Sequence, residues 1–303
     1  MSTSNTTTQG VSDSLLASST FTRLTTPPNV AWPTVTLFLL SYLSYLGATG
    51  LAVTGYIPGW VAMVVNTIAA YWLFTVFHDA AHRSAGKSQS LNDWLGRAGI
   101  LVFFPFPIFK AFRFIHMQHH RFANDQHGKD PDAYTGNGPT WLLPLRWATV
   151  DLYYYVFYFK HLSSRPGSEK RELAMVVVFG LVLFGGLLLA GAGEALLWYW
   201  LIPGRVAAFF LALSFDYLPH HPRNSTQQEN PWQATNNRMG LEWLLTPVLM
   251  WQNYHLVHHL YPRAPFYRYL RIWRTGKPAF ERHEPLLVDL LGRELPRTPP
   301  SSS

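Results

Sequence analysis

Residues 116–125 read HMQHHRFAND. Positions three and four apart are neighbours on a helix, so His116, His119 and His120 project together if this stretch is helical. The chain repeats the device. HDAAH stands at 78–82, DYLPHHP at 216–222 and NYHLVHHLYP at 253–262. Ten of the 13 histidines lie in these four stretches. His78 then shares a face with His82, Asp216 with His220, and His255 with His258 and His259. Neutral imidazole is the commonest metal ligand at physiological pH. One His-x-x-His-His alone reads more simply as a solvated helix end. Two such triplets, with two further pairs, point to a shared metal site, because buried imidazoles without partners are costly.

Working outward, the composition is that of a membrane protein. Charged residues are only 14% of the 303, against 48% hydrophobic and 16% aromatic, where a soluble domain carries about 25% charged residues. There are no cysteines, which excludes disulfides, thiolate metal sites and cysteine-ligated iron–sulfur clusters. The first 30 residues are rich in Ser and Thr and contain no apolar run of signal-peptide length. Residues 1–30 and 286–303 are expected to be disordered tails flanking a membrane domain at 31–285.

Crossing a bilayer takes about 20 apolar residues. Four stretches qualify, at about 35–55, 57–82, 172–190 and 203–221. The last follows the aromatic cluster Trp198, Tyr199 and Trp200, which suits a membrane boundary, and Arg205 near that boundary is expected to extend its head to the interface. The run at 100–109 is short and carries two prolines, so it reads as re-entrant or interfacial. The run at 140–159 is interrupted by Arg146 and Asp151 and reads as a helix on the membrane surface. Parity agrees: one metal site needs all four histidine stretches on one side, which four crossings in two hairpins provide. The hairpin turns TGYIPG and AGAGEAL carry no Lys or Arg. The positive-inside rule then places the histidines and both termini in the cytoplasm. The net charge of +7 is explained by that face meeting anionic lipid, with no nucleic acid as partner. The expected fold is an all-α membrane protein of four transmembrane helices in two hairpins, with a cytosolic helical cap carrying the histidines.

Counting His220, nine imidazoles are well placed. One ion takes about four to six ligands, so nine imply two ions. Imidazole suits Zn, Cu, Fe and Ni. Zinc has no redox chemistry, and so rich a histidine set beside a membrane suits iron that activates dioxygen against an unreactive C–H bond. Ligating histidines nearly always give their outer nitrogen to a carboxylate or carbonyl. Asp79, Asp125, Asp130, Asp132 and Asp216 are candidates, with capping and turn formation as their simpler roles. Asn253 precedes a triplet and is expected to bond backbone or water. His221 is either an alternative ligand or a surface residue. His127, His161 and His283 stand outside the groups. Pro219 is expected to bend the helix before it.

HDAAHRS, HMQHHRFAND with the following KDPD, DYLPHHP and QNYHLVHHLYP resemble the histidine boxes of the membrane fatty-acid desaturase and hydroxylase superfamily. Within it they look like the desaturase-type β-carotene hydroxylases, over about residues 74–267. The resemblance implies a four-helix membrane domain under a cytosolic cap. It also implies two irons held by His78, His82, His116, His119, His120, His220, His255, His258 and His259, with a further ligand bridged by water. In acyl-CoA desaturases an Asn-x3-His element supplies that last pair, and Asp216 and His220 stand at the matching positions. Asp for Asn, and three residues where the first box often has four, are departures from the acyl-CoA branch.

The expected function is therefore hydroxylation of a carotenoid ring at a di-iron site, of the β-carotene 3-hydroxylase type. It would use dioxygen and electrons from a ferredoxin-like donor, since no flavin, nicotinamide or cytochrome motif is present. The alternative on the same site is a fatty acyl lipid desaturase. A rival of another class is a histidine-rich membrane metal carrier. A carrier would place its ligands near the bilayer midplane, whereas these fall at or beyond helix ends.

Overall fold

The apolar runs become helices whose ends are set by glycine and proline. The computed structural model describes residues 14–103, 106–222 and 225–296. Among these, four helices are long and apolar enough to cross a membrane: Trp32–Val53, Gly59–Ala81, Gly167–Leu189 and Gly193–His220. The first ends where Gly55 takes φ +80° and the Tyr56 amide donates back to the Leu51 carbonyl at 2.8 Å. That left-handed residue closes the helix at little steric cost. Leu43, Leu46, Val53, Phe179, Val182 and Leu189 are exposed on the outer faces, an apolar surface of the kind that lipid covers.

The fourth span begins at Gly193, ten residues before the expected start, so Trp198, Tyr199 and Trp200 lie inside the helix. Pro203 explains how it continues. Proline donates no N–H, which frees the carbonyl four residues earlier. That carbonyl belongs to Tyr199, and it accepts instead from Asn66 Nδ2 at 2.8 Å and Tyr45 Oη at 2.7 Å. The backbone widens to a π-helix over Leu197–Leu201. The substitute bonds stitch the first, second and fourth spans together where no water is at hand. A second π turn, Ala212–Tyr217, precedes Pro219.

Arg205 has a protein partner. It donates to Asp151 through Nη1 at 2.8 Å and Nη2 at 2.5 Å. The run at 140–159 is two short helices, Leu143–Ala148 and Val150–Lys160, divided at Thr149. Neither is long enough to cross a bilayer. The run at 100–109 joins the helices Gln89–Ile100 and Phe109–Phe122.

Both expected tails are shorter than the sequence suggests. Residues 1–13 and 297–303 of those tails lie outside the described residues. Ser19–Thr25 is a helix capped by Ser18, and its Phe21 and Leu24 are buried. Phe21 packs edge-on against Tyr261 and Phe280, with centroids 5.4 and 6.0 Å away. Arg268 donates to the Arg23 and Thr26 carbonyls at its end. Three-residue spacing of two large apolar side chains is enough to anchor a segment that composition marks as polar. Past residue 286, Leu287–Val288 pairs in parallel with Asn237–Arg238.

Candidate metal centre and its cavity

Each histidine stretch sits at the end of a helix, and the ends converge. His78 and His82 close the second span. His116, His119 and His120 lie in the last turns of Phe109–Phe122, and His220 ends the fourth span. The short helix His255–Leu260 carries His255, His258 and His259. Together they form two groups, His78, His82, His116, His120 and His258, and His119, His220, His255 and His259. Within each group one ring nitrogen per residue lies within 4.8 Å of the others.

The rings meet nitrogen to nitrogen. His82 Nε2 is 2.7 Å from His116 Nε2, His258 Nε2 is 3.0 Å from His120 Nε2, and His220 Nε2 is 3.3 Å from His255 Nε2. Burial holds His116, His120, His255, His258 and His259 well below the usual histidine range, and the neighbouring imidazoles add to the effect. The lone pairs are therefore free at neutral pH. Both ring nitrogens of His78 and of His259 are buried with no hydrogen-bond partner. Leaving such groups unsatisfied costs about 1–3 kcal/mol each. A cation in each group would engage one nitrogen of each ring and relieve that part of the cost, so the residues fit a pair of metal ions.

The outer nitrogens are held in several ways. His119 Nδ1 lies 2.9 Å from Asp130 Oδ1 and 3.3 Å from Asp132 Oδ2. His255 Nδ1 meets Gln252 Oε1 at 2.6 Å, and His258 Nδ1 meets Tyr269 Oη at 2.8 Å. Gln252 and Tyr269 escaped the sequence reading. Gln252 opens the quoted QNYHLVHHLYP but was given no role there, whereas Tyr269 lies eleven residues beyond its histidine and follows no pattern.

Other candidates go elsewhere. Asp79 holds no histidine. It accepts from Thr34 Oγ1 at 2.9 Å and the Phe266 amide at 3.2 Å, tying the first span to the loop after the third box. Asn253 donates to Thr246 Oγ1 at 3.2 Å. Asp125 accepts from the His127 and Lys129 amides in a turn. His221 stacks on Tyr217, 5.2 Å between centroids, outside both groups. His161 pairs with the Phe157 carbonyl and His283 stacks on Trp232. Asp216 is buried, outside both groups, and lines a cavity.

That cavity is apolar and has a volume of about 120 Å³. Phe74, Phe112, Ile115, Tyr154, Ala208 and Leu211 are among its walls. Phe74 stacks on His78 with centroids 5.8 Å apart, and Phe112 lies parallel to His116 at 5.5 Å. The cavity therefore abuts the five-histidine group.

Residues 54–290 match the family model described as fatty acid desaturase. A dihydrorhizobitoxine desaturase of Bradyrhizobium elkanii is 29% identical over 68% of this chain and 64% of its own length. A β-carotene ketolase of Paracoccus sp. strain PC1 is 27% identical over 67% of this chain and 74% of the relative. An sn-1 oleoyl-lipid 12-desaturase of Arthrospira platensis is 24% identical over 83% of this chain and 76% of the relative. The chain thus spans just under two thirds of the first of these relatives and about three quarters of the other two. The family match covers most of the chain and includes all nine converging histidines. The chain belongs to the fatty acid desaturase family.

Proposed function

We propose that the chain is a di-iron membrane monooxygenase that hydroxylates a carotenoid ring, of the β-carotene 3-hydroxylase type, with a ferredoxin-like protein as electron donor. The observation that carries this reading is the junction of cavity and histidines: Phe74 and Phe112 wall the cavity and also stack on His78 and His116. A ring held against those faces lies beside the five-histidine group. Two of the relatives described as β-carotene ketolases support a carotenoid substrate. A relative described as a ferredoxin-type omega-3 desaturase supports the donor.

His78, His82, His116, His120 and His258 would hold one iron, and His119, His220, His255 and His259 the other. Bound there, iron would supply the redox activation of dioxygen. The net reaction takes one C–H bond, one dioxygen, two electrons and two protons to one C–OH and one water. The chain's own residues do the rest. The aromatic wall binds the apolar ring and excludes water, placing one C–H bond. Asp130, Gln252 and Tyr269 fix ring orientation from the outer nitrogens. Arg121 on the second-box helix, Arg83 just past the first box and Lys129 in the turn after the second box are exposed and offer positive charge to an acidic donor.

A second reading, fatty acyl lipid desaturation, is favoured by the oleoyl-lipid desaturases, which match the chain over 83% and 75% of its length. There a second hydrogen is removed in place of oxygen transfer. Membranes holding the full chain, β-carotene, ferredoxin and its reductase should yield a ring-hydroxylated carotenoid under dioxygen. His119→Ala should yield none. A ketone product would move the chain to ketolase chemistry. Unchanged carotenoid with newly unsaturated acyl chains would establish the second reading.

A further inference from the structure

Tyr154 belongs to two structures at once. Its ring is part of the cavity wall, and its hydroxyl donates to Asp132 Oδ1 at 2.5 Å. The other oxygen of Asp132 lies 3.3 Å from His119 Nδ1. One chain of contacts therefore runs from the substrate space through Tyr154 and Asp132 to a member of the four-histidine group. Asp132 is buried, as is His119. Asp130, the other carboxylate at His119, is fixed differently. It accepts from the Asn124 amide at 2.7 Å and the Asp132 amide at 2.9 Å, so backbone sets its position. Asp132 is held on the cavity side by a side chain that an occupant of the cavity would touch.

The remaining outer partners do not share this property. Gln252 and Tyr269 serve His255 and His258, and neither lines the cavity. Their groups are also neutral, whereas a carboxylate on the outer nitrogen makes an imidazole a stronger ligand. His119 thus has the most strongly donating support of the three, and that support is the one within reach of substrate.

We infer that Tyr154 is a positioning residue that couples occupancy of the cavity by an apolar lipid to the hold of the four-histidine group on its metal, through Asp132 and His119. The inference rests on the metal and cavity roles proposed above. An occupant packed on the Tyr154 ring restricts the side chain and keeps water from the bond to Asp132, so Asp132 stays against His119. By linkage, whatever tightens the metal when substrate binds must tighten substrate when metal binds.

The test reads metal release rather than turnover. The full chain, loaded with iron in discs of a saturated phosphatidylcholine, is mixed with an iron chelator, with and without β-carotene. A dioleoyl phosphatidylcholine addition forms a parallel arm. In the native chain, one of these occupants should slow release of one of the two irons by about 5-fold or more, the low end of ordinary coupling. Tyr154→Phe keeps the ring and the cavity shape, so the chain should fold and load iron, yet the occupant should no longer slow release. Asp132→Asn should also abolish the effect, and the double variant should lose nothing more. Tyr269→Phe, at a histidine partner away from the cavity, should retain it. Equal protection in the native chain and Tyr154→Phe overturns the inference, as does a native chain that holds iron but gains no protection from either occupant. A native chain that takes up no iron overturns the metal reading itself.

Discussion

His82 and His116 face each other nitrogen to nitrogen at 2.7 Å, though one ends a membrane-length helix and the other rides on the separate helix Phe109–Phe122. Two neutral imidazoles share only one proton in such a contact, and His120 meets His258 in the same way. The remaining buried nitrogens of His78 have no proton partner at all. A cation in each group would take up one lone pair from each ring. Removing one ring should therefore lower metal content. His258→Ala is expected to lose about half of the bound metal or more. His283→Ala, stacked on Trp232 outside both groups, should lose none. Elemental analysis of purified protein distinguishes the two outcomes.

Asp79 is a brace and not a histidine partner. Asp79→Ala strands the Thr34 hydroxyl and the Phe266 amide, each buried, at about 1–3 kcal/mol per group. Asp79→Asn keeps an acceptor and should recover much of that loss. Thermal unfolding in detergent should rank the native chain above Asp79→Asn and both above Asp79→Ala.

Gly96 gives passage to the helix that carries the second box. A Cβ there would overlap the ring of Phe109, the first residue of that helix and itself buried. Gly96→Ala is expected to cost about 1–3 kcal/mol through overpacking and to reduce metal content by displacing His116, His119 and His120. Adding Phe109→Leu should restore both. Recovery of stability without metal would separate packing from ligand placement.

Arg205 and Asp151 face each other beside the cavity, each about a quarter exposed. Losing one partner leaves an uncompensated charge in an apolar wall. Arg205→Ala or Asp151→Ala alone should destabilise by roughly 2 kcal/mol, less than the ~3–5 kcal/mol of a fully buried pair. The double variant should lie closer to the native chain than either single one. A double variant as unstable as the sum of the two would show that the pair does not act as a unit.

The convergence of the histidines was the most legible part of the molecule. Spacings of three and four are local geometry, so His78 with His82, and each His-x-x-His-His, could be read without knowing the fold. Asp130 and Asp132 were legible as candidates because they closely follow the second box. Tyr269 and Tyr154 were not, since each reaches its partner through tertiary packing. Asp79 misled because adjacency to His78 points the side chain away from it on a helix. The fourth span misled because Pro203 reads as a helix start. Asn66 and Tyr45 take up the carbonyl that proline frees, and these long-range bonds let the helix run on. Phe21 and Leu24 were hidden by a polar composition that says nothing of the aromatic surface awaiting them.

The central claim is that imidazoles from four separated stretches hold two metal ions beside an apolar cavity. Iron X-ray absorption on the purified chain, with metal content measured on the same sample, tests it most directly. The account predicts two irons per chain with first shells dominated by imidazole nitrogen. A chain that binds no iron when reconstituted, or binds it through carboxylate oxygen without the imidazole signature, would contradict it.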